Sequence, residues 1–178
     1  PYLASLTIFE NLDAAGYGPE RGRAFFERIY RNIRPYGGIV CLPTSRDEIS
    51  TLERQIQTIG LAKATVHRIE GAAGLAPSEG YLLLSRDGSL PGAADWTHQY
   101  ADIANTVKSD DKLVKLPLGV LWFGGSSNMD VLPRHGHGPP EQIVGGRLFI
   151  EGIDNLTARD VYTGRDLWKR NLSRLDTY

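Results

Sequence analysis

Residues 33–42, which read IRPYGGIVCL, contain the end of a predicted helix, a turn and the start of a predicted strand. Pro35 ends the helix, because proline has no backbone N–H to continue the helical hydrogen bonds. Gly37 and Gly38 allow the tight turn that follows. Residues 38–42 are continuously apolar, which is typical of a strand buried on both faces of a parallel sheet.

A strand and an amphipathic helix are predicted before this stretch. Residues 3–12 form an apolar run of strand length, and Gly16, Gly18 and Pro19 then interrupt the chain. Over residues 20–33, apolar side chains recur at spacings of three and four residues, which predicts a helix with one buried face. The side chains of that face are Phe25, Phe26, Ile29, Tyr30 and Ile33.

A second helix and two further strands are predicted after the same stretch. Ser45 and Glu48 have the Ser-x-x-Glu spacing of a capping box, and Gly60 is a plausible helix stop. The apolar face of this helix comprises Ile49, Leu52, Ile56 and Ile59. Strands are predicted at residues 65–69 and 81–85. The order β-α-β-α-β-β predicts an α/β fold with a parallel, helix-covered sheet, in which the last two strands can form a hairpin.

The second half of the sequence predicts an all-β unit. Its four predicted strands are residues 120–123, 147–151, 155–161 and 166–169, and residues 143–144 lead into the second of them through the turn at Gly145-Gly146. Paired glycines between two short apolar runs are a strong hairpin signal. Four short strands with tight turns predict one up-and-down sheet, the size of a single propeller blade.

The composition changes at the turn-rich run of residues 87–94, DGSLPGAA. The first part of the chain alternates strands and helices, whereas the second is rich in glycine and has no amphipathic helix. A shift of this kind marks a candidate domain boundary. We therefore predict an α/β segment at residues 1–88 and an all-β segment at residues 89–178.

Composition and charge exclude several classes of protein. The 178 residues include 20 Lys and Arg against 21 Asp and Glu, and this net charge of −1 gives no electrostatic reason to expect a nucleic-acid partner. Cys41 is the only cysteine, which excludes an internal disulfide and a Cys-rich zinc site. No run approaches the roughly 20 apolar residues of a membrane-spanning helix. Because the chain begins at Pro1, we expect it to be a piece of a longer protein.

Residues 3–85 resemble the C-terminal half of a class I S-adenosylmethionine-dependent methyltransferase. The resemblance is carried by a strand ending in Glu10 and Asn11, by the helix FFERIY at residues 25–30, and by RPYGGIV at residues 34–40, where Tyr36 replaces the usual glycine. It implies part of a Rossmann-like sheet with a C-terminal β-hairpin, and S-adenosylmethionine as the cofactor of the intact parent protein.

The same resemblance implies a cofactor site at Glu10 and Asn11. Ligands of open α/β sheets bind at the carboxyl ends of the strands, and in this family the position lies beside the methyl donor and acceptor. Asp13 is a weaker candidate. The alternative is that these polar residues only cap the next turn. The Gly-rich loop and the acidic residue on which the family mainly builds its cofactor site would lie upstream of Pro1, because no such glycine fingerprint occurs here.

Residues 116–170 resemble one repeat of a PQQ-like quinoprotein β-propeller. The motifs are PLGVLW at residues 117–122, VGGRLFI at 144–150, and ARDVYTGRDLW at 158–168, whose last residue can lie between blades. A complete propeller needs about four to eight blades. PQQ binding is not expected, because quinoprotein-like repeats often serve as assembly platforms and a PQQ dehydrogenase would need calcium and stacking residues from other blades.

Three histidines and the cysteine are the remaining candidates for chemistry in this sequence. His135 and His137, with His98, could hold zinc or copper, but a Gly/Pro-rich loop with solvated histidines is the preferred interpretation, so no metal site is predicted. Cys41 lies in an apolar strand and is expected to be a buried, inert thiol. No arrangement for nucleophilic catalysis is identifiable.

These patterns predict a fragment of a bacterial multidomain protein. In the intact parent it would take part in methyl transfer from S-adenosylmethionine to an unidentified acceptor, its partner being the remainder of the parent chain, and the isolated chain would be inactive. The alternative is a non-catalytic PQQ-like propeller that serves as a scaffold or binding module. A methyltransferase would favour the cytoplasm and a propeller the periplasm, so the location stays open.

Overall fold

The structure, a computed structural model, describes residues 1–18, 20, 22–70, 79–125, 127, 130–132 and 140–174. The chain divides into two compact units, Pro1–Gly88 (unit 1) and Ser89–Tyr178 (unit 2). The fold is mixed α/β, and its described elements are two helices and two four-stranded sheets. In the described part of the chain, no helix combines the length and the apolarity needed to cross a bilayer.

Unit 1 contains one sheet and both helices. Its elements in chain order are β1 (Leu6–Ile8), α1 (Gly22–Asn32), β2 (Gly38–Ser45), α2 (Ile49–Ile59), β3 (Ala64–Glu70) and β4 (Glu79–Arg86). The strands lie in the order β1-β2-β4-β3. β1 and β2 are parallel, whereas β4 is antiparallel to both of its neighbours. The predicted hairpin of the last two strands is confirmed, and its second strand lies against β2.

The core of unit 1 lies between the two helices and one face of the sheet. Val40 is paired with Leu84 and Leu42 with Leu82 in the β2–β4 register, and all four side chains are fully buried. They join the predicted apolar faces of α1 and α2 in one cluster. Residues of the opposite face, such as Cys41, are only partly buried. The prediction that β2 is buried on both faces is therefore wrong, because the helices cover one face.

The ends of two predicted elements differ from the sequence pattern. β1 spans only Leu6–Ile8 instead of residues 3–12, since only these three residues pair with β2. α2 begins at Ile49, and the capping box is half formed: Ser45 Oγ accepts a hydrogen bond from the Glu48 N–H at 3.3 Å and donates one to the Glu48 carboxylate at 2.9 Å. Gly60 ends α2 in a left-handed conformation, φ +73°, as predicted.

Unit 2 contains an antiparallel meander. Its strands in chain order are β5 (Gln142–Val144), β6 (Arg147–Gly152), β7 (Asn155–Asp160) and β8 (Asp166–Asn171). Each strand pairs with the next, in the order β5-β6-β7-β8. The predicted β5–β6 hairpin is confirmed, and Gly145 and Gly146 both have positive φ, which is the turn geometry that matches strand twist.

Residues 120–123 form no strand, which corrects the prediction for that segment. β5 supplies the fourth strand of the meander in its place. Val120 and Phe123 are exposed, but the indole Nε1–H of Trp122 donates a hydrogen bond of 2.9 Å to the Val161 carbonyl. The Trp122 ring also lies directly over Gly164, so this segment is anchored by one side chain rather than by strand pairing.

Candidate functional site

A cleft of about 740 Å³ opens at the carboxyl ends of the parallel strands β1 and β2. Ligands of open α/β sheets bind at this edge. The wall comes from the loop after β1, from the turn after β2 with the first half of α2, and from the start of β4. Its residues are Glu10, Asn11, Leu12, Asp13, Tyr17, Pro43, Thr44, Ser45, Asp47, Glu48, Thr51, Leu52, Gln55 and Glu79.

Both predicted cofactor-binding residues line this cleft. Glu10 and Asn11 follow the last residue of β1, Ile8, by two and three positions, so they lie in the loop beyond the strand. The side-chain oxygen of Asn11 accepts a hydrogen bond of 2.8 Å from the Ala14 N–H. Asn11 therefore caps the next turn, which is the alternative role expected for this residue, and its part in a cofactor site stays a prediction. Asp13, the weaker candidate, lies in the same wall.

The loop after β1 positions Tyr17 on the inner side of the cleft. Backbone hydrogen bonds of 2.9 Å from Gly16 to Asp13 and from Tyr17 to Leu12 close this loop. The Tyr17 hydroxyl donates a hydrogen bond of 2.5 Å to the side-chain oxygen of Gln55 on α2. The Tyr17 ring packs against Phe25 and Phe26 of α1, with centroid distances of 5.6 Å. Tyr17 thus fixes the loop to both helices.

Burial raises the pKa of the Tyr17 phenol. The hydrogen bond to Gln55 opposes this shift, whereas the nearby carboxylates of Glu48 and Asp13 add to it. A raised phenol pKa means that Tyr17 is neutral at physiological pH. The neutral phenol therefore adds no further negative charge beside these carboxylates, and its hydroxyl can donate the hydrogen bond to Gln55.

The cleft is strongly acidic. Its wall contains five carboxylates, those of Glu10, Asp13, Asp47, Glu48 and Glu79, and none of the described residues that line it is Lys, Arg or His. Sequence reasoning missed the contributions of Asp47, Glu48 and Glu79 to a site. A usable signal existed for the first two, since they directly follow the end of β2, and the carboxyl ends of parallel strands meet at one edge.

Of the other chemical candidates, neither His98 nor Cys41 is among the residues that line the cleft. His135 and His137 fall outside the described residues, and the His98 ring nitrogen Nδ1 is 2.7 Å from Thr97 Oγ1. Among the residues that the structure describes, no three His, Cys, Asp or Glu side chains are grouped to hold a metal ion. Cys41 is half-buried rather than fully buried, and burial raises the pKa of its thiol, which disfavours the reactive thiolate.

Comparisons with protein-family models, with curated proteins and with solved structures find no match to this chain. Chemically, the cleft offers carboxylate and amide oxygens, one neutral phenol and the apolar side chains of Leu12 and Leu52. Such a wall can hold a small organic molecule by its polar groups while an apolar portion packs inside.

Proposed function

We propose that unit 1 is the C-terminal half of a class I S-adenosylmethionine-dependent methyltransferase-like domain, and that the intact parent transfers methyl groups. The single observation that carries this proposal is the placement of Glu10 and Asn11 in a cleft at the carboxyl ends of two parallel strands. The hairpin that follows, with β4 inserted antiparallel beside β2, supports it further, because the resemblance implies a parallel sheet that ends in a hairpin.

The residues of this cleft fit part of the methyl donor. S-adenosylmethionine carries an ammonium group, ribose hydroxyls and a positively charged sulfonium, and the Glu10 carboxylate can accept hydrogen bonds from the first two. When bound, the donor supplies an electrophilic methyl group that passes to an acceptor lone pair, while sulfur keeps the electrons of the broken bond. Glu10 and Asn11 would orient the donor, and Tyr17, Leu12 and Leu52 would form the drier side of the cleft.

In this proposal, the other contacts to S-adenosylmethionine are made by residues of the intact parent that are not part of this chain. The family places most of them on a first strand and a Gly-rich loop, and Gly16, Gly18 and Gly22 do not form such a loop. Calorimetric titration of this chain with S-adenosylmethionine is therefore expected to show little or no binding. Tight binding by this chain alone would contradict the division of the donor site between two halves.

The role of Glu10 is tested in the intact parent. Replacing Glu10→Gln removes a charge from the cleft with little change of shape, and it is expected to weaken S-adenosylmethionine binding. Glu20→Gln is the matched control, because Glu20 is exposed and does not line the cleft. If both variants bind S-adenosylmethionine with equal affinity, Glu10 does not contribute to the donor site.

A second candidate function is a non-catalytic PQQ-like propeller scaffold, in which unit 1 is a remnant without activity. The observation that favours it is the four-stranded antiparallel meander β5-β6-β7-β8, which has the size and order of one propeller blade. The two candidates differ in the intact parent: a scaffold shows neither methyl transfer nor quinone absorbance, whereas a methyltransferase consumes the donor.

A further inference from the structure

We propose that the free edge of β1 pairs with the same edge of a second copy of this chain, so that two chains form a dimer with one continuous sheet. The partner is identified by its chemistry: an extended, uncharged strand whose backbone exchanges hydrogen bonds with β1. This inference goes beyond the proposed function, because it requires only β1 and the strand beside it.

The backbone of β1 has one row of hydrogen-bonding groups with no strand beside it. β1 is the first strand in the sheet order, so β2 is its only neighbouring strand among the described residues. On the β2 side, the Phe9 N–H donates a hydrogen bond of 3.1 Å to the Cys41 carbonyl. Because the backbone groups of successive residues alternate between the two sides of a strand, those of Leu6 and Ile8 point to the open edge.

The side chains at this edge are apolar and exposed. Leu6 and Ile8 have 58% and 63% of their surfaces exposed. They lie on the face of the sheet that is turned away from the helices, because they are in register with Ile39 and Cys41. Residues 2–9, YLASLTIF, contain neither a charged residue nor a proline. A strand of this composition lacks the features that keep natural sheet edges from pairing with other chains.

The other edges of the two sheets are protected. β3 forms the far edge in unit 1 and carries the charged residues Arg68 and Glu70. β8 forms one edge in unit 2 and carries Lys169. At the edge formed by β5, Trp96 and Ile143 exchange two backbone hydrogen bonds of 2.9 Å. Among the strands that the structure describes, β1 is therefore the one that leaves its edge unprotected.

A second copy supplies a strand that matches this edge. In an antiparallel pairing centred on Thr7, Leu6 of each chain stands opposite Ile8 of the other. Each of these pairs exchanges backbone hydrogen bonds in both directions, so the contact contains roughly four. The pairs bring apolar side chains together and no like charges. Because the contact uses the same edge of both copies, it closes at a dimer.

Sedimentation velocity of the full chain tests the association. β1 has only 3 residues, so the contact is small and the dimer is expected to be reversible. The mean mass is expected to rise from the 19.6 kDa of the monomer towards twice that value. This rise is expected between about 10 µM and about 1 mM, the range of weak complexes. A mass that stays at the monomer value throughout would overturn the proposal.

Amide hydrogen exchange locates the contact. In the monomer, the N–H groups of Leu6 and Ile8 face the open edge and exchange rapidly, whereas in the dimer they are hydrogen-bonded. Their exchange rates are expected to fall with the monomer fraction, about five-fold when roughly four-fifths of the chains are dimeric. The Phe9 N–H, which is bonded to β2 in both states, serves as the internal control. A dimer in which Leu6 and Ile8 exchange equally fast at every concentration would overturn the proposal.

A charge on the edge is the second test. Leu6→Lys adds the kind of residue that protects natural edges, and it is expected to raise the dissociation constant of the dimer at least about ten-fold. Ile8→Lys serves if Leu6→Lys misfolds. Ile103→Lys is the matched control, because Ile103 is an apolar residue of unit 2 with 86% of its surface exposed. Equal dimerisation of the edge variant and the control would overturn the proposal.

Discussion

The guanidinium of Arg86, the last residue of β4, lies over the ring of Tyr30 in α1, with 3.9 Å between Arg86 Cζ and the ring centroid. Its Nη2 donates a hydrogen bond of 2.6 Å to the Tyr30 backbone carbonyl. Both residues are buried, with 6% and 4% of their surfaces exposed. This contact joins the inserted strand to the first helix, so it stabilises the strand order on which the cleft depends.

Arg86→Lys is expected to lower the free energy of unfolding of unit 1 by about 1–3 kcal/mol. Lysine keeps the charge but loses the planar group that stacks on Tyr30 and the geometry of the Nη2 hydrogen bond. Amide hydrogen exchange of β2 and β4 measures the change. Arg28→Lys is the control, since Arg28 is exposed and lies 5.9 Å from the Phe25 ring centroid. Its effect should stay within about 0.5 kcal/mol.

Tyr30 is expected to make unit 1 sensitive to alkaline pH. Burial raises the pKa of Tyr30 to about 12, although the charge of Arg86 opposes the shift. An unfolded tyrosine ionises near pH 10. The folded state holds the proton more tightly, so the stabilisation from neutral Tyr30 is complete below about pH 10 and is lost as the pH rises towards about 12.

Tyr30→Phe tests this expectation. The variant loses the hydrogen bond of 2.7 Å from the hydroxyl to the Ala62 carbonyl, so at pH 7 it should be less stable by about 0.5–1.5 kcal/mol. Its stability deficit relative to the wild type should shrink between about pH 10 and about pH 12. A deficit that stays constant over that range would show that Tyr30 does not cause the alkaline loss.

Gly38 is expected to tolerate no side chain. A Cβ atom there would lie 2.7 Å from the Arg34 backbone nitrogen and even closer to the Arg34 carbonyl oxygen. Gly38→Ala should therefore destabilise unit 1 by about 1–3 kcal/mol, the usual cost of overpacking, as measured by hydrogen exchange. At Gly18 the same Cβ would meet nothing within 4 Å. A loss for Gly18→Ala as large as that for Gly38→Ala would contradict a steric cause.

Gly164 is expected to be essential for the anchoring of Trp122 in unit 2. Its φ is +71°, and a Cβ there would overlap the Trp122 ring. Gly164→Ala should displace the indole, shift its fluorescence to longer wavelength and destabilise unit 2 by at least about 1 kcal/mol. Gly119→Ala is the control, because its Cβ would meet nothing within 4 Å. Identical emission spectra of the two variants would refute the contact.

The helices of unit 1 could be predicted from the sequence because their signals lie within a few residues of one another. The three- and four-residue spacing of Phe26, Ile29 and Ile33 reflects burial of one helical face, and Gly60 marks the helix end through its left-handed conformation. The length of β1 could not be predicted in this way. An apolar run can form a strand only where a partner strand pairs with it, and only Leu6–Ile8 have one.

The strand order and most of the cleft could not be predicted, because they depend on contacts between distant residues. Glu79 reaches the cleft only because β4 inserts beside β2, and no local pattern states this. In unit 2, residues 120–123 have the composition of a strand, yet Trp122 packs on the turn at Gly164 while Gln142–Val144 pairs with β6. In both cases, contacts between distant parts of the chain, rather than the local sequence, determine where these residues lie.

Sequencing the reading frame that encodes this chain tests the proposal that unit 1 is one half of a methyltransferase-like sheet. We expect, upstream of Pro1, a strand followed by a Gly-x-Gly-type loop with an acidic residue about 20 positions further on. A start codon immediately before Pro1, or upstream repeats that end in tryptophan without that loop, would contradict the claim and leave a scaffold.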